Sequence, residues 1–525
     1  MKSNRFKRLL SMVLAAAMAL SITACGGKEK PDPAGASDVT DGVKESLTIG
    51  VTALWPTLCP FQGANNQWGP FVRTIYDRLG IFQDGECVKQ AAESWEVAED
   101  GVTWTIKIRD NIVDTAGNKI IADDVVWYIQ ESIARGLKPQ FNKVASVEKV
   151  DDLTIQVVMK TDVVGSFELM ISSVYMVSKA AFEASSDEFA TTVVSSGPYK
   201  VLEFVPGSHL TLEKRSDYWN GVSDDSTMQC NVEHLTYNII TETSQQQIAL
   251  EGGTVDAFEN VASSLMSNFE NNPNFGVISA PQMNGIQMYF SGDASRPTAE
   301  DENLRKAICH AIDVDGIINT VYEGKAEAMH DPTSRSQLGY LEKWNEEEYF
   351  SYDVEKAKEY LSKSGYNGEE LSIMSMGNGT YPRLGQTIQS YLMAVGINCK
   401  LNLLDQALFS ASLFDGSQYD MILVQAGGPT ITNLWGNRFD MNAYAGGDAT
   451  ARRDETLTNM IYNAWTQAGF TEENIDEVHT YLKDHCYAYG LIVPTISCVY
   501  RTDSGMVNAP VSNNGAADFV AAQFQ

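Results

Sequence analysis

The chain has 525 residues and a formal charge of −30, from 68 acids against 38 Lys and Arg. A surface this acidic repels nucleic-acid phosphates and anionic headgroups, so neither is expected as a bulk partner. With 9 Trp, 22 Tyr and 20 Phe the chain is not a disordered one, and its length allows two or three domains with real cores.

Lys2, Arg5, Lys7 and Arg8 form a positive start, and an apolar run follows from Leu9 to about Ile22. At roughly 14 residues this run is short of the ~20 that span a bilayer. The pattern is that of a secretory signal over 1–24, removed from the mature chain. Ile22-Thr23-Ala24-Cys25 resembles a lipobox, so cleavage is expected before Cys25, with lipid on its thiol. Residues 25–46 hold almost no large apolar side chain, which is the composition of a flexible tether. Two or more acyl chains anchor stably where one is marginal. The body is therefore expected to be lipid-anchored at the extracellular face of the cell membrane, or at its periplasmic face if the cell has an outer membrane.

Further along, ESLTIGV alternates as a strand, and the chain breaks at Pro56 and Pro60 into a loop. Phe71, Ile75 and Leu79 in GPFVRTIYDRLGIF keep helical spacing. TWTIKIR alternates as a half-buried strand between an EDG and an AGN turn, and Asp123 is expected to cap the helix DVVWYIQES. VEKVDDLTIQVVM reads as a hairpin joined at Asp151-Asp152, and a second hairpin turns at Pro206-Gly207. EHLTYNII, TSQQQIALEGG and VDAF then read as strand, helix and short strand. DENLRKAICHAIDVDGIINTVYEG is a pair of amphipathic helices, and SYDVEKAKEYLSKSGY is a helix closed by Gly365. GEELSIMSM, RLGQTIQSYLMAVGI and CKLNLLD make a strand–helix–strand unit. The fold class is α/β, with lobes built on sheets flanked by helices, and no internal repeat is present.

Catalytic signatures are missing: the chain has no HExxH, GxSxG, Walker A or GxGxxG. Its six histidines are scattered, so neither a metal nor a cofactor is expected. Apart from Cys25, seven cysteines remain (Cys59, Cys87, Cys230, Cys309, Cys399, Cys486 and Cys498). An odd number without CxxC spacing is neither a tidy disulfide framework nor a zinc site. Several read as small apolar core residues, as Cys399 does in GINCKLNLL.

Seven blocks, in order, resemble one family. They are ESWEVAEDGVTWTIKIRDNI with AGNKIIADDVVW, SSGPYKVLEFVPGSHLTLEKRSDYWNG, LEGGTVDAF, LRKAICHAID, YDVEKAKEYLSKSGY, QSYLMAVGI and YDMILV. Over about 47–505 the chain resembles the family 5 extracellular solute-binding proteins, the peptide/nickel-type substrate-binding lipoproteins of ABC importers. The resemblance implies a two-lobed, periplasmic-binding-protein-like clamshell of type II, in its three-domain variant. Domain I would comprise 47–82, 197–282 and 490–525, domain II 83–196, and domain III 283–489. It implies a monomeric receptor and not an enzyme. The ligand would be a small solute, foremost an oligopeptide, and the partners ABC permease subunits. Receptors for oligosaccharides or nickel chelates, and a peptide-sensing surface protein without transport, are the alternatives.

The resemblance also implies which segments line the cleft. They are the loop after the first strand with Trp55 and Thr57, a segment with Tyr381 and Arg383, and the loop after YDM with Gln425, Gly427 and Gly428. Trp435 would form an apolar wall, Arg383 would meet a carboxylate, and the glycine loop would pair with an extended ligand. Trp95, Trp104, Trp127 and Trp219 are assigned to packing. Peptide binders of this family often carry an aspartate shortly after YDM for the ligand's ammonium. Here Val424–Arg438 holds no acid, so recognition of a free peptide N-terminus lacks its usual partner.

Overall fold

Alternation in ESLTIGV places Leu47, Ile49 and Val51 on the buried face of strand β1 (Val43–Val51). The computed structural model describes residues 39–525 except Trp55, 62–71, 84–85, 137–140, 142, 221–228, 330, 334, 336, 347–349, 414, 428–429, 442–453 and 512–514. The expected leader, Cys25 and the tether up to residue 38 lie outside the described residues. The tether does not extend to 46: Val39–Thr40 pairs antiparallel with Val43–Lys44, and β1 takes in Val43–Ser46, held by its register with Val232–Ile239.

The first lobe continues with β2 (Ala92–Val97), β3 (Thr103–Ile108), α1 (Ala122–Arg135), β4 (Val144–Asp151) and β5 (Thr154–Met159). These strands form an antiparallel sheet in the order β2-β3-β5-β4, with the expected hairpin between β4 and β5. Trp104 stacks on Phe167 with ring centroids 3.6 Å apart, and Trp95 meets the same ring edge-on. The acid at the start of α1 differs from the expected one. Asp124 accepts the Ile121 N–H at 2.9 Å, whereas Asp123 pairs with Lys149 at 2.7 Å. β6 (Tyr199–Val205) and β7 (His209–Lys214) form the second hairpin, followed by β8 (Val232–Ile239), α2 (Thr243–Glu251), β9 (Ala257–Phe258) and β10 (Phe275–Pro281).

The helix expected through Leu79 stops at Ile75, with Val72–Ile75 its described part. Beyond it the backbone is claimed by other partners. Leu79 N–H donates to the Val174 carbonyl at 3.2 Å, and Ala91 N–H to that of Arg78 at 2.9 Å. Between them Asp77 is buried and accepts from Tyr218 Oη at 2.7 Å, Gln90 Nε2 at 3.2 Å and the Trp219 indole. Burial pushes its carboxyl up to about 7, against the lowering effect of the Trp219 and Tyr218 bonds. Asp77→Ala leaves these donors unpaired in the interior. It is expected to cost about 2–4 kcal/mol in urea unfolding, more than Asp77→Asn. The folded acid holds its proton above the unfolded value of about 3.9, so its contribution to stability falls as pH rises from about 4 to 7.

The second lobe holds β11 (Gly285–Phe290), α3 (Glu302–Ala311), α4 (Val314–Val321), β12 (Leu371–Met376), α5 (Tyr381–Ala394), β13 (Cys399–Leu404), β14 (Met421–Ala426), α6 (Ile431–Phe439), α7 (Glu455–Ala464), α8 (Glu472–His485) and β15 (Ala488–Arg501). β12, α5 and β13 are the expected strand–helix–strand unit, with parallel register from Leu371 opposite Cys399 to Met376 opposite Leu404. Separate cores fill the two lobes. Leu47, Ile106, Tyr128 and Leu235 belong to the first, and Ile308, Ile373, Leu384 and Leu423 to the second. No helix among the described residues is long and apolar enough to cross a membrane.

One strand serves both lobes. β15 pairs with β11 over Ala488–Ile492 and with β10 over Thr495–Arg501. The chain crosses between lobes a second time at Gln282–Asn284, between β10 and β11. Gln282 N–H donates to the Pro494 carbonyl at 2.9 Å, tying the two crossings side by side. Two adjacent extended crossings make a hinge.

Candidate functional site

Register decides which strand ends face the gap. β9 runs antiparallel to β15, with Ala257 opposite Tyr500 and Phe258 opposite Val499. It therefore ends pointing toward the second lobe, as do β1 and β8, which lie parallel to it. From the other side, β14 runs antiparallel to β11 with Ala426 opposite Gly285, so it ends beside the 282–284 crossing. β12 and β13 lie parallel to β14 and end the same way. Carboxyl ends of parallel strands thus oppose one another across the hinge, the location where open α/β sheets bind ligands.

The two lobes also meet at a second place. Val164 N–H donates to the Trp465 carbonyl at 2.7 Å, and Asn433 Nδ2 to the Val164 carbonyl at 3.2 Å. Gly165, at φ 82°, lies so near Thr430 that a Cβ would sit 2.4 Å from its methyl. The Lys143 ammonium stands over the Trp465 ring at 5.4 Å. Hinge and clasp together describe a closed pair of lobes.

On the first-lobe side, β1 and β9 stay close because residue 50 is glycine: a Cβ there would fall 2.2 Å from the Phe258 ring. Thr57 is half-buried and its Oγ1 accepts the Cys59 N–H at 3.2 Å. Trp55 lies outside the described residues. At the end of β9, Glu259 N–H donates to the Gly50 carbonyl at 2.9 Å. Its side chain is half-buried and, among the described residues, no cation pairs with it. Desolvation by the surrounding protein pushes its carboxyl up to about 7. Glu259 was not anticipated from sequence; the only local signal is an acid directly after a short strand, in VDAFEN.

On the second-lobe side, Tyr381, Gln425 and Gly427 come together. The Gln425 amide donates to the Asn284 carbonyl at 2.9 Å and to the Gln282 side chain. The Tyr381 phenol takes a hydrogen bond from the Gln425 backbone, though burial and then nearby Tyr322 hold it protonated. Gly427 lies against Asn284, whose Oδ1 would be 1.6 Å from a Cβ at 427. Gln425 and Gly427 therefore abut the 282–284 crossing, and Tyr381 is joined to it through Gln425. Gly428 lies outside the described residues.

Two of the expected residues lie elsewhere. Trp435 is fully buried on the inner face of α6, packed with Trp344, Phe439 and Ile461, and presents no wall to solvent. Arg383 is exposed, but its guanidinium is turned to the end of α4. There it donates to the Thr320 carbonyl and lies 3.9 Å from Glu323. The acids flanking the acid-free stretch are engaged too. Asp420 pairs with Arg296 at 2.6 Å, and Asp440 accepts from Tyr462 Oη at 2.8 Å. Among the described residues no three His, Cys, Asp or Glu side chains gather as a metal site.

The family model described as bacterial extracellular solute-binding proteins, family 5 middle, matches residues 86–439. A glutathione-binding protein of Pectobacterium atrosepticum is 22% identical over 377 residues, which is 69% of this chain and 70% of that protein. The ABC transporter substrate-binding protein CtaP of Listeria monocytogenes has a similar fold, with a TM-score of 0.77 at 20% identity over 92% of this chain and 99% of that one. So does the oligopeptide-binding protein AppA of Bacillus subtilis, solved with a nonapeptide, with a TM-score of 0.76 at 15% identity over 93% and 100% of the two chains. These matches agree with the opposed strand ends and the two-strand hinge, and the chain belongs to the family 5 bacterial extracellular solute-binding proteins.

Proposed function

We propose that this protein is a lipid-anchored receptor that captures an oligopeptide between its lobes and delivers it to an ABC permease. Family 5 proteins are transport receptors rather than enzymes. The observation that carries the reading is the meeting of parallel-strand carboxyl ends across a two-strand hinge. Ligand contacts made only when the lobes are together shift the population toward the closed form, which a permease can then distinguish. Anchoring through Cys25 and the tether that precedes Val39 keeps a loaded monomer near its importer. The three-domain division has support from the antiparallel β2–β5 sheet, which falls within 83–196, and from β11–β14, which fall within 283–489.

Within the cleft, Tyr381, Gln425 and Gly427 would contact a ligand from the second lobe, and Thr57 and Glu259 from the first, with Trp55 and Gly428 kept as ligand contacts on the family resemblance alone. Glu259 receives a cationic group of the ligand, the ammonium of a peptide N-terminus or a basic side chain. It supplies from the first lobe the carboxylate missing after YDM. A peptide is favoured by this acid together with Gly427, which directly follows β14. The test is mass spectrometry of whatever co-purifies with the body from Val39 onward, which keeps β1 whole, followed by thermal shifts against peptide and oligosaccharide libraries. A peptide is expected; an oligosaccharide or a nickel chelate recovered instead would replace this reading.

A further inference from the structure

Two cysteines meet in the second lobe. Cys309 lies in the last turn of α3 and Cys486 ends α8. Their Sγ atoms are 3.3 Å apart, and both side chains are fully buried. The two are 177 positions apart in sequence, so no local pattern produces the contact. The backbone adds a second observation. Cys486 is in the left-handed region, at φ 53° and ψ 52°. Helices ordinarily end there on Gly or Asn, because a Cβ is disfavoured. A larger side chain held at such a position points to a use for that side chain. Arg305 fixes the same corner, donating to the carbonyls of Cys486 at 3.0 Å, His485 at 2.8 Å and Thr298 at 2.9 Å.

We propose that Cys309 and Cys486 form a disulfide in the exported protein, a modification site that closes the second lobe on itself. In the step, both thiols lose hydrogen and one S–S bond forms between them. The two protons and two electrons pass to a small-molecule disulfide, whose own S–S bond is split into two thiols. The sulfurs need to approach by only about 1.2 Å to reach the bonding distance of ~2.05 Å.

Burial, and then the neighbouring Cys486 sulfur, raise the Cys309 thiol well above its ordinary pKa. Its thiolate is therefore scarce once the lobe has packed. The bond closes during folding and is afterwards shielded from reductants. An extracellular setting, which the family description gives, is where such bonds persist. The chain enters the second lobe at 282–284 and leaves near Pro494 along β15. The cross-link joins positions inside both crossings and leaves the hinge free. It stabilises one lobe and does not restrain closure.

The full mature chain is refolded with oxidised glutathione, alkylated under denaturing conditions, digested and analysed by mass spectrometry. A peptide pair linked through Cys309 and Cys486 is expected, with Cys59, Cys87, Cys230, Cys399 and Cys498 alkylated. Reduction should release the pair and lower Tm by about 3–5 °C, given the long loop closed and the size of the protein. Cys309→Ser and Cys486→Ser each remove the linked pair. Where a serine variant fails to fold, the wild-type chain with and without reductant decides. Alkylation of both Cys309 and Cys486 after the glutathione step, or linkage of either to a different cysteine, overturns the assignment.

Discussion

Replacing Glu259 by Gln is expected to weaken binding of a cationic peptide by about 30- to 1,000-fold in calorimetric titration, because it leaves a desolvated ligand cation without its carboxylate. A form of the same peptide with its ammonium acetylated should bind the wild type and the variant alike. Equal losses for both forms would show that Glu259 acts on the fold and not on the ligand's charge. The pH dependence supplies an independent arm. In the empty protein burial pushes this carboxyl up to about 7, so a cation can be received only after a proton leaves. Affinity for the cationic peptide should therefore rise with pH by up to about tenfold per unit below about 7 and level off above it. Glu259→Gln should flatten that profile. Stability of the empty protein moves the opposite way. The folded acid binds its proton more tightly than the unfolded one, so its contribution falls as pH rises from about 4.3 to 7. Asp77 and Asp331, buried and also raised to about 7, carry the same sign. The stability slope sums over these and the other shifted carboxyls, among them Asp124 and Glu168 raised by burial and Asp187 lowered by its Thr191 bond, whereas the affinity slope belongs to Glu259.

Gly427→Trp should abolish the thermal shift caused by ligand while leaving the protein folded. A Cβ at 427 would sit 1.6 Å from Asn284 Oδ1 and 2.4 Å from its Cγ. An indole there must displace Asn284 and with it the crossing between β10 and β11. Gln425 holds that crossing through the Asn284 carbonyl and the Gln282 side chain, so the disturbance spreads along the floor of the gap. A loss of at least about 100-fold in affinity is expected, with about 1–3 kcal/mol lost in stability for the overpacking. Gly427→Ala, whose methyl can be met by rotating Asn284 away, should retain most of the binding. Full ligand response in the Trp variant would put the glycine loop outside the cleft.

Much of the fold was legible because its signals are local. The hairpins at 151–154 and 205–209, the β12–α5–β13 unit and the α3–α4 pair follow turn residues and hydrophobic spacing within short windows. Where distant partners compete for the backbone, the local pattern misled. VRTIYDRLG has helical spacing, yet Arg78 and Leu79 pair with residues 90–92 and 174, and Asp77 is drawn into a polar cluster with Tyr218 and Trp219. β15 runs unbroken through Pro494, although proline in an apolar run argues against a continuous strand. It is tolerated where the flanking strand changes from β11 to β10. In the candidate site, Trp435 was assigned to a wall although Ile431, Leu434, Trp435 and Phe439 share one helical face, the spacing of a buried stripe. Glu259 left almost no trace in sequence. It becomes notable only when β9 is placed beside β1 and aimed at a lobe whose chain begins some 25 residues later.

Single-molecule energy transfer between one dye on each lobe tests the central claim most directly. The protein is first stripped of ligand and then titrated with the peptide that gives the largest thermal shift. The account predicts at least two separations in the empty protein, with the peptide driving the population to the shorter one, in which Val164 meets Trp465. A single separation, unchanged at saturating peptide, would contradict it.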